Sequence, residues 1–194
     1  GAARSATLAQ EAGAVIGTEL RALGINTVLA PVADIHNGHG DDSIGRRAFG
    51  AHRDIVTPLS VHFMKGLQQG GVLSIAKHFP GHGSSIDDPH LVSTHMGYAD
   101  VSALKNTDLV PFQALIEHGA DGILTSHVVA EPWDRDHPVS MSKEAISKQL
   151  RETLGFQGIV TTDDITVMVG MLKNEDGEII RDRREVALKA YEAG

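Results

Sequence analysis

Four times along this chain the same order recurs: a helical stretch ends near a glycine, a short apolar run follows, and polar or titratable residues close it. The runs are "TVLAPVA" closing on Asp34, "GGVLSIAKHF" with Lys77 and His78, "DGILTSHVV" with Ser126 and His127, and "QGIVTTDD" ending on Asp163 and Asp164. Their near-continuous apolarity, without strict alternation, predicts strands covered on both faces, as in parallel sheets. The polar residues then fall at the C-terminal ends of the strands, where parallel α/β architectures build their sites.

The intervening segments carry helical periodicity. Residues 5–22 form the first helix, stopped at Gly24. In residues 53–69, Ile55, Leu59, Phe63 and Leu67 recur every four. "DVSALKNTDLVPFQALIEHGA" reads as helix interrupted near Pro111, "SKEAISKQLRETLGF" as helix with Ser142 available as cap, and "IRDRREVALKAYEAG" as the last helix. The order is one helix and then four βα units. Closing a barrel takes eight units and about 250 residues. The alternatives are an open doubly wound sheet, or part of a barrel whose other units lie outside these 194 residues. No linker or low-complexity segment divides 1–194, which reads as a single unit. The long irregular insertion "HNGHGDDSIGRRAFGAHRD" (36–54) lies at the edge where functional loops are expected.

Composition narrows the chemistry. The chain has no cysteine, which excludes disulfide frameworks, thiolate catalysis and thiolate zinc sites. A net charge of −8 with scattered Lys and Arg argues against nucleic acid and against an anionic membrane surface. No apolar run approaches the ~20 residues of a membrane span. The opening "GAARSATLAQ" lacks an initiator Met and an apolar leader, and reads as a cut or processed start, which leaves the compartment undetermined.

Titratable residues concentrate in "KHFPGHGSSIDDPH" (77–90). In an extended Asp88-Pro89-His90, residues two apart point the same way, so Asp88 can hold the His90 imidazole for acid/base work near neutral pH. The same triplet also suits a solvated turn. Asp163 and Asp164 suit a nucleophile, a metal ligand or a helix N-cap. Lys77, His78, Arg46 and Arg47 are donors suited to hydroxyls or a carboxylate, although Lys77 also has Asp34 as a candidate ion-pair partner. His127 reads equally as a substrate contact or a hydrogen-bonded core histidine. For a metal, His36 with His39 and His78 with His82 are the candidate pairs. Pro80 and Gly81 keep the second pair off one helix face, and no His-Glu-x-x-His signature occurs, so no metal and no other cofactor is expected.

"KHFPGHG" followed by Asp-x-His, with "LAPVADI", "IGRRAFG", "LTSHV" and "GFQGIVTTDD" in order, resembles the catalytic domain of glycoside hydrolase family 3. The nearer resemblance is to its bacterial β-N-acetylglucosaminidase (NagZ-like) branch, and it spans nearly the whole chain. It implies a (β/α)8 TIM-type barrel of which this chain covers the middle-to-late four βα units. It further implies Asp163 as nucleophile, His90 as acid/base with Asp88 its partner, and Arg47, Lys77 and His78 as holders of the sugar, with Asp34 in support. The expected activity is a retaining exo-β-N-acetylhexosaminidase on N-acetylglucosamine-containing cell-wall or chitin-type oligosaccharides. An imidazole base does not repel phosphate, so a glycoside phosphorylase is the alternative, alongside a silent sugar-binding barrel or a metallohydrolase. Pro89 between the dyad residues, Arg46 where an acid is usual, and the "ADIHNGHGDD" loop depart from the family pattern.

Overall fold

The computed structural model describes residues 1–36, 44–83, 85, 95–98, 100–165 and 182–194. It begins with helix α1, Ala6–Ala22, whose Ser5 side chain accepts the Leu8 N–H at 3.3 Å. Gly24 stops it in a left-handed conformation, φ +82°, with its N–H returned to the Arg21 carbonyl. Helix α2, Arg53–Gln69, packs across α1 at four glycines. A β-carbon on Gly13 would lie 2.4 Å from the Phe63 carbonyl oxygen, and one on Gly66 would lie 2.1 Å from that of Gln10. Gly17 and Gly70 meet in the same way, so the two backbones touch where any larger residue would hold them apart.

The strands are β1 (Thr27–Val28), β2 (Leu73–Phe79), β3 (Gly122–Thr125) and β4 (Ile159–Thr162). They form one parallel sheet in the order β1-β2-β3-β4. A doubly wound sheet reverses its strand order at a switch point. Here each new strand is added on the same side, as it is around a barrel, which decides between the two architectures left open by the sequence. The core lies between sheet and helices, with Phe79 edge-on to Phe112 at 5.6 Å and stacked on Trp133 at 5.8 Å.

Three details differ from the sequence reading. The apolar run "TVLAPVA" yields only a two-residue strand, because the Ala30 N–H turns back to the Val28 carbonyl and Pro31 has no N–H to give. Pairing resumes beyond it, with Val32 opposite Lys77. The helical break falls at Asn106–Asp108, between α3 (Val101–Lys105) and α4 (Leu109–Glu117), and not at Pro111. Pro111 sits in the first turn of α4, where its missing N–H would have had no helical partner. The helix over Glu144–Thr153 is wide, with i→i+5 bonding such as Leu154 N–H to the Gln149 carbonyl. Ser142 does accept the Ala145 N–H there, at 3.2 Å. Helix α5, Arg183–Ala193, is capped by Asp182 and packs Val186 against Met141. Among the described residues no helix is long and apolar enough to cross a membrane.

Candidate active site

Backbone pairing beyond β1 brings the first site residue into place. The Lys77 N–H reaches the Pro31 carbonyl at 2.9 Å and the Ala33 N–H reaches the Lys77 carbonyl at 2.6 Å, so Asp34 lands beside His78. Asp34 is fully buried. Its Oδ2 lies 2.7 Å from His78 Nδ1, and its Oδ1 accepts the backbone N–H groups of His78 at 3.2 Å and His82 at 2.8 Å. Burial alone would raise its pKa. The electrostatic attraction and ring N–H of His78, together with the attraction of His82 and its backbone N–H, outweigh that and hold the carboxyl below its ordinary value. The acid is therefore ionised at neutral pH.

Strand β2 is irregular between Lys77 and Phe79, where its register against β3 slips. In a regular strand Lys77 and His78 would face opposite sides. The irregularity turns both toward the same charges, as bulges beside active sites do. Lys77 is half-buried, and desolvation lowers its pKa. The carboxylates of Asp163 and Asp34 act against that, and the Arg47 guanidinium adds to it.

Asp163 follows β4, with its N–H directed to the Thr125 carbonyl at 3.3 Å. Its Oδ1 accepts the Asp164 N–H at 2.9 Å. Its Oδ2 lies 3.8 Å from His78 Nε2, beyond hydrogen-bond reach but close enough to feel the ring. The side chain is 34% exposed, so a ligand can reach it. Two cations and two carboxylates thus converge with an imidazole between them, a pattern suited to a neutral polyol with many hydroxyls.

Of the residues expected from sequence, the structure gathers Asp34, Lys77, His78 and Asp163 at this strand-end edge, with Arg47 near enough to act on Lys77. Arg47 ends a single 3₁₀ turn, Gly45–Arg47, anchored by buried Ile44. His127 is buried past β3 with its Nδ1 2.7 Å from Ser140 Oγ. Asp88 and His90 lie outside the described residues, as does His39. Among the described residues no group of three or more His, Cys, Asp or Glu is arranged to hold a metal ion. Asp34, the candidate ion-pair partner of Lys77, is hydrogen-bonded to His78, and its charge also acts on Lys77. His82, weighed from sequence only as a metal candidate, instead ties its loop to Asp34 through its backbone and sets its ring edge-on to His78, centroids 5.7 Å apart. No sequence signal marks that backbone contact. A cavity of about 470 Å³ lies to one side, lined in part by Ile35, His52, Arg53, Tyr98 and Asp108, and shares none of the five gathered residues.

The profile of the glycosyl hydrolase family 3 N terminal domain matches residues 1–194. The chain belongs to this family. It is 36% identical over 96% of its length to a β-hexosaminidase of Methylobacillus flagellatus and 37% identical over 97% to one of Thioalkalivibrio sulfidiphilus. It spans about half the length of these relatives, 51% and 52%. Among solved structures, a family 3 β-N-acetylglucosaminidase from Paenibacillus sp. str. FPU-7 superposes with a TM-score of 0.87 at 35% identity, covering 98% of this chain and 35% of that one. Native NagZ from Neisseria gonorrhoeae gives 0.84 at 33% identity, covering 97% and 51%. The family 3 domain fold is a TIM-barrel-like α/β fold, and the described residues of this chain hold a four-stranded part of it.

Proposed function

We propose that residues 1–194 form one partial barrel domain carrying the nucleophile, the acid/base dyad and sugar-binding donors of a retaining exo-β-N-acetylhexosaminidase. The observation that carries this reading is the convergence of Asp163, His78, Lys77, Arg47 and Asp34 at one strand-end edge. The β-hexosaminidase relatives support it, as does the complex of the gonococcal NagZ with N-trifluoroacetyl-D-glucosamine. The substrate is a terminal N-acetylglucosamine on a cell-wall or chitin-type oligosaccharide.

In this reading the Asp163 carboxylate attacks the anomeric carbon, forming a glycosyl ester as the bond to the leaving oxygen breaks. Oδ1 is engaged by the Asp164 N–H, which leaves Oδ2 as the attacking oxygen. Protonated His90, held by Asp88, gives its proton to the leaving oxygen. Neutral His90 then takes a proton from water, whose oxygen displaces Asp163 and restores the free carboxylate with net retention. Lys77, His78 and Arg47 hold hydroxyls of the sugar whose hydrogen bonds strengthen as charge develops on the ring.

The test is hydrolysis of an aryl β-N-acetylglucosaminide by the wild type and by Asp163→Ala and His90→Ala. Both substitutions are expected to remove turnover, and activity surviving both refutes the assignment. Run in phosphate buffer, the same assay is expected to release free N-acetylglucosamine. Accumulation of its 1-phosphate would identify a phosphorylase instead.

A further inference from the structure

We infer that Asp34 is a positioning residue that sets which nitrogen of His78 faces the reacting sugar. Its effect on catalysis rests on the reading of Asp163 given above, but its effect on His78 does not. An ionised carboxylate only accepts hydrogen bonds. With Asp34 Oδ2 at 2.7 Å, His78 Nδ1 carries the proton, and Nε2 is the nitrogen turned toward Asp163 Oδ2 at 3.8 Å. That separation is too long for a direct bond and leaves Nε2 to engage a substrate hydroxyl.

The other oxygen of Asp34 fixes the carboxylate itself. Oδ1 accepts two backbone N–H groups, from His78 and from His82, so the group cannot rotate without stranding donors in the interior. Both partners of Asp34 lie in "KHFPGH", which joins the orientation of the ring to the path of the loop that follows it. A purely structural clamp would need the two backbone contacts. The contact to Nδ1 adds control of the tautomer.

Asp34→Asn separates these roles. Its side-chain oxygen stays on the two backbone N–H groups, because the reverse orientation would set N–H against N–H. The amide NH₂ then faces His78 Nδ1, which becomes an acceptor and sends the ring proton to Nε2. The full chain, labelled with ¹⁵N-histidine, is expected to show His78 protonated at Nδ1 in the wild type and at Nε2 in Asp34→Asn. Turnover of the aryl glycoside by the variant should fall by about 10²-fold, chiefly in kcat, the scale for loss of one preorganised polar contact to the transition state.

His78→Gln should lower turnover similarly, and Asp34→Asn added to it should cost nothing further, since Asp34 acts through the ring. Multiplicative losses in the double variant, a wild-type ring protonated at Nε2, alone or together with Nδ1, or an Asp34→Asn variant with unchanged kcat would each overturn the inference. The wild-type spectrum decides even where Asp34→Asn does not fold. Asp163→Asn, assayed alongside, distinguishes the two failures. If hydrolysis survives it, the nucleophile reading fails, while the tautomer of His78 is judged on its spectrum alone.

Discussion

Lys77 shows how the site balances burial against charge one residue at a time. Desolvation lowers its pKa from the ordinary 10.5, yet Asp163 and Asp34 favour the ammonium and keep it useful as a donor. Replacing it with Met keeps most of the stem and removes the charge. A hydrogen bond from a charged group is worth about 1.5–3 kcal/mol. Lys77→Met should therefore reduce kcat/KM on the aryl glycoside by about 10- to 100-fold. Arg should not restore it, because a planar guanidinium fork does not replace a compact ammonium as a donor to a hydroxyl. Asp34 supplies the pH-dependent counterpart. Its folded pKa lies below the ordinary 3.8, so the unfolded chain binds more protons in the interval between the two values. Stability rises with pH wherever the unfolded state binds more protons, so the contribution of Asp34 is complete above pH ~4 and is lost as pH falls through the folded pKa. Urea unfolding from pH 5 to 2.5 is expected to show a steeper loss for the wild type than for Asp34→Asn. Parallel curves would show that the carboxylate is not held as described.

At the scale of elements, the contact of α1 with α2 sets propensity against packing. Gly66→Ala in an ordinary helix interior would stabilise by about 1 kcal/mol. Here its β-carbon would lie 2.1 Å from the Gln10 carbonyl oxygen, and backbone cannot move aside as a flexible side chain can. Overpacking of this kind costs about 1–3 kcal/mol, so the net effect should be a loss of about 1 kcal/mol or more in chemical denaturation. Gly13→Ala should behave alike, and a gain from either would show that the helices separate freely. The glycines are visible in the sequence, but their closeness is not, since it depends on how two helices cross. The same limit governs the rest of the fold. Periodicity marks α2 and β2 well because each buries one regular face or run, and it finds α1 although that helix buries only Gly13 and Gly17 and leaves Leu8, Val15 and Ile16 exposed. It overstates β1, where Pro31 interrupts a ladder that hydrophobicity alone would continue, and it misplaces the break that precedes Pro111. The i→i+5 bonding of Glu144–Thr153 leaves no mark in apolar spacing. For the site, recurrence at strand ends brought Asp34, Lys77, His78 and Asp163 to one edge. Which of them touch was not legible, because the Asp34–His78 bond joins residues 44 apart through the register of two strands.

For the molecule as a whole, the sheet raises a question of edges. Strands β1 and β4 end the described sheet, and among the described residues neither pairs with a strand on its outer side. Exposed apolar residues lie at or next to strand starts and ends: Leu29 is 48% exposed, Leu73 42% and Ile159 49%. Parallel sheets are normally buried on both faces, and an unpaired apolar edge is a template for association. The relatives are about twice as long as this chain, so the same strands in them sit within a larger polypeptide. As an isolated 194-residue polypeptide, the chain should associate through these edges. Sedimentation over a hundredfold concentration range is expected to show a rising average mass, accompanied by binding of an apolar dye. Leu29→Lys combined with Ile159→Lys places a charge at each edge and should suppress both signals. Because the two side chains are already half in solvent, the change in unfolding free energy should stay within about 0.5 kcal/mol per substitution. A wild-type chain that sediments as a monomer throughout, with no dye bound, would mean that the edges are closed by contacts within the chain itself.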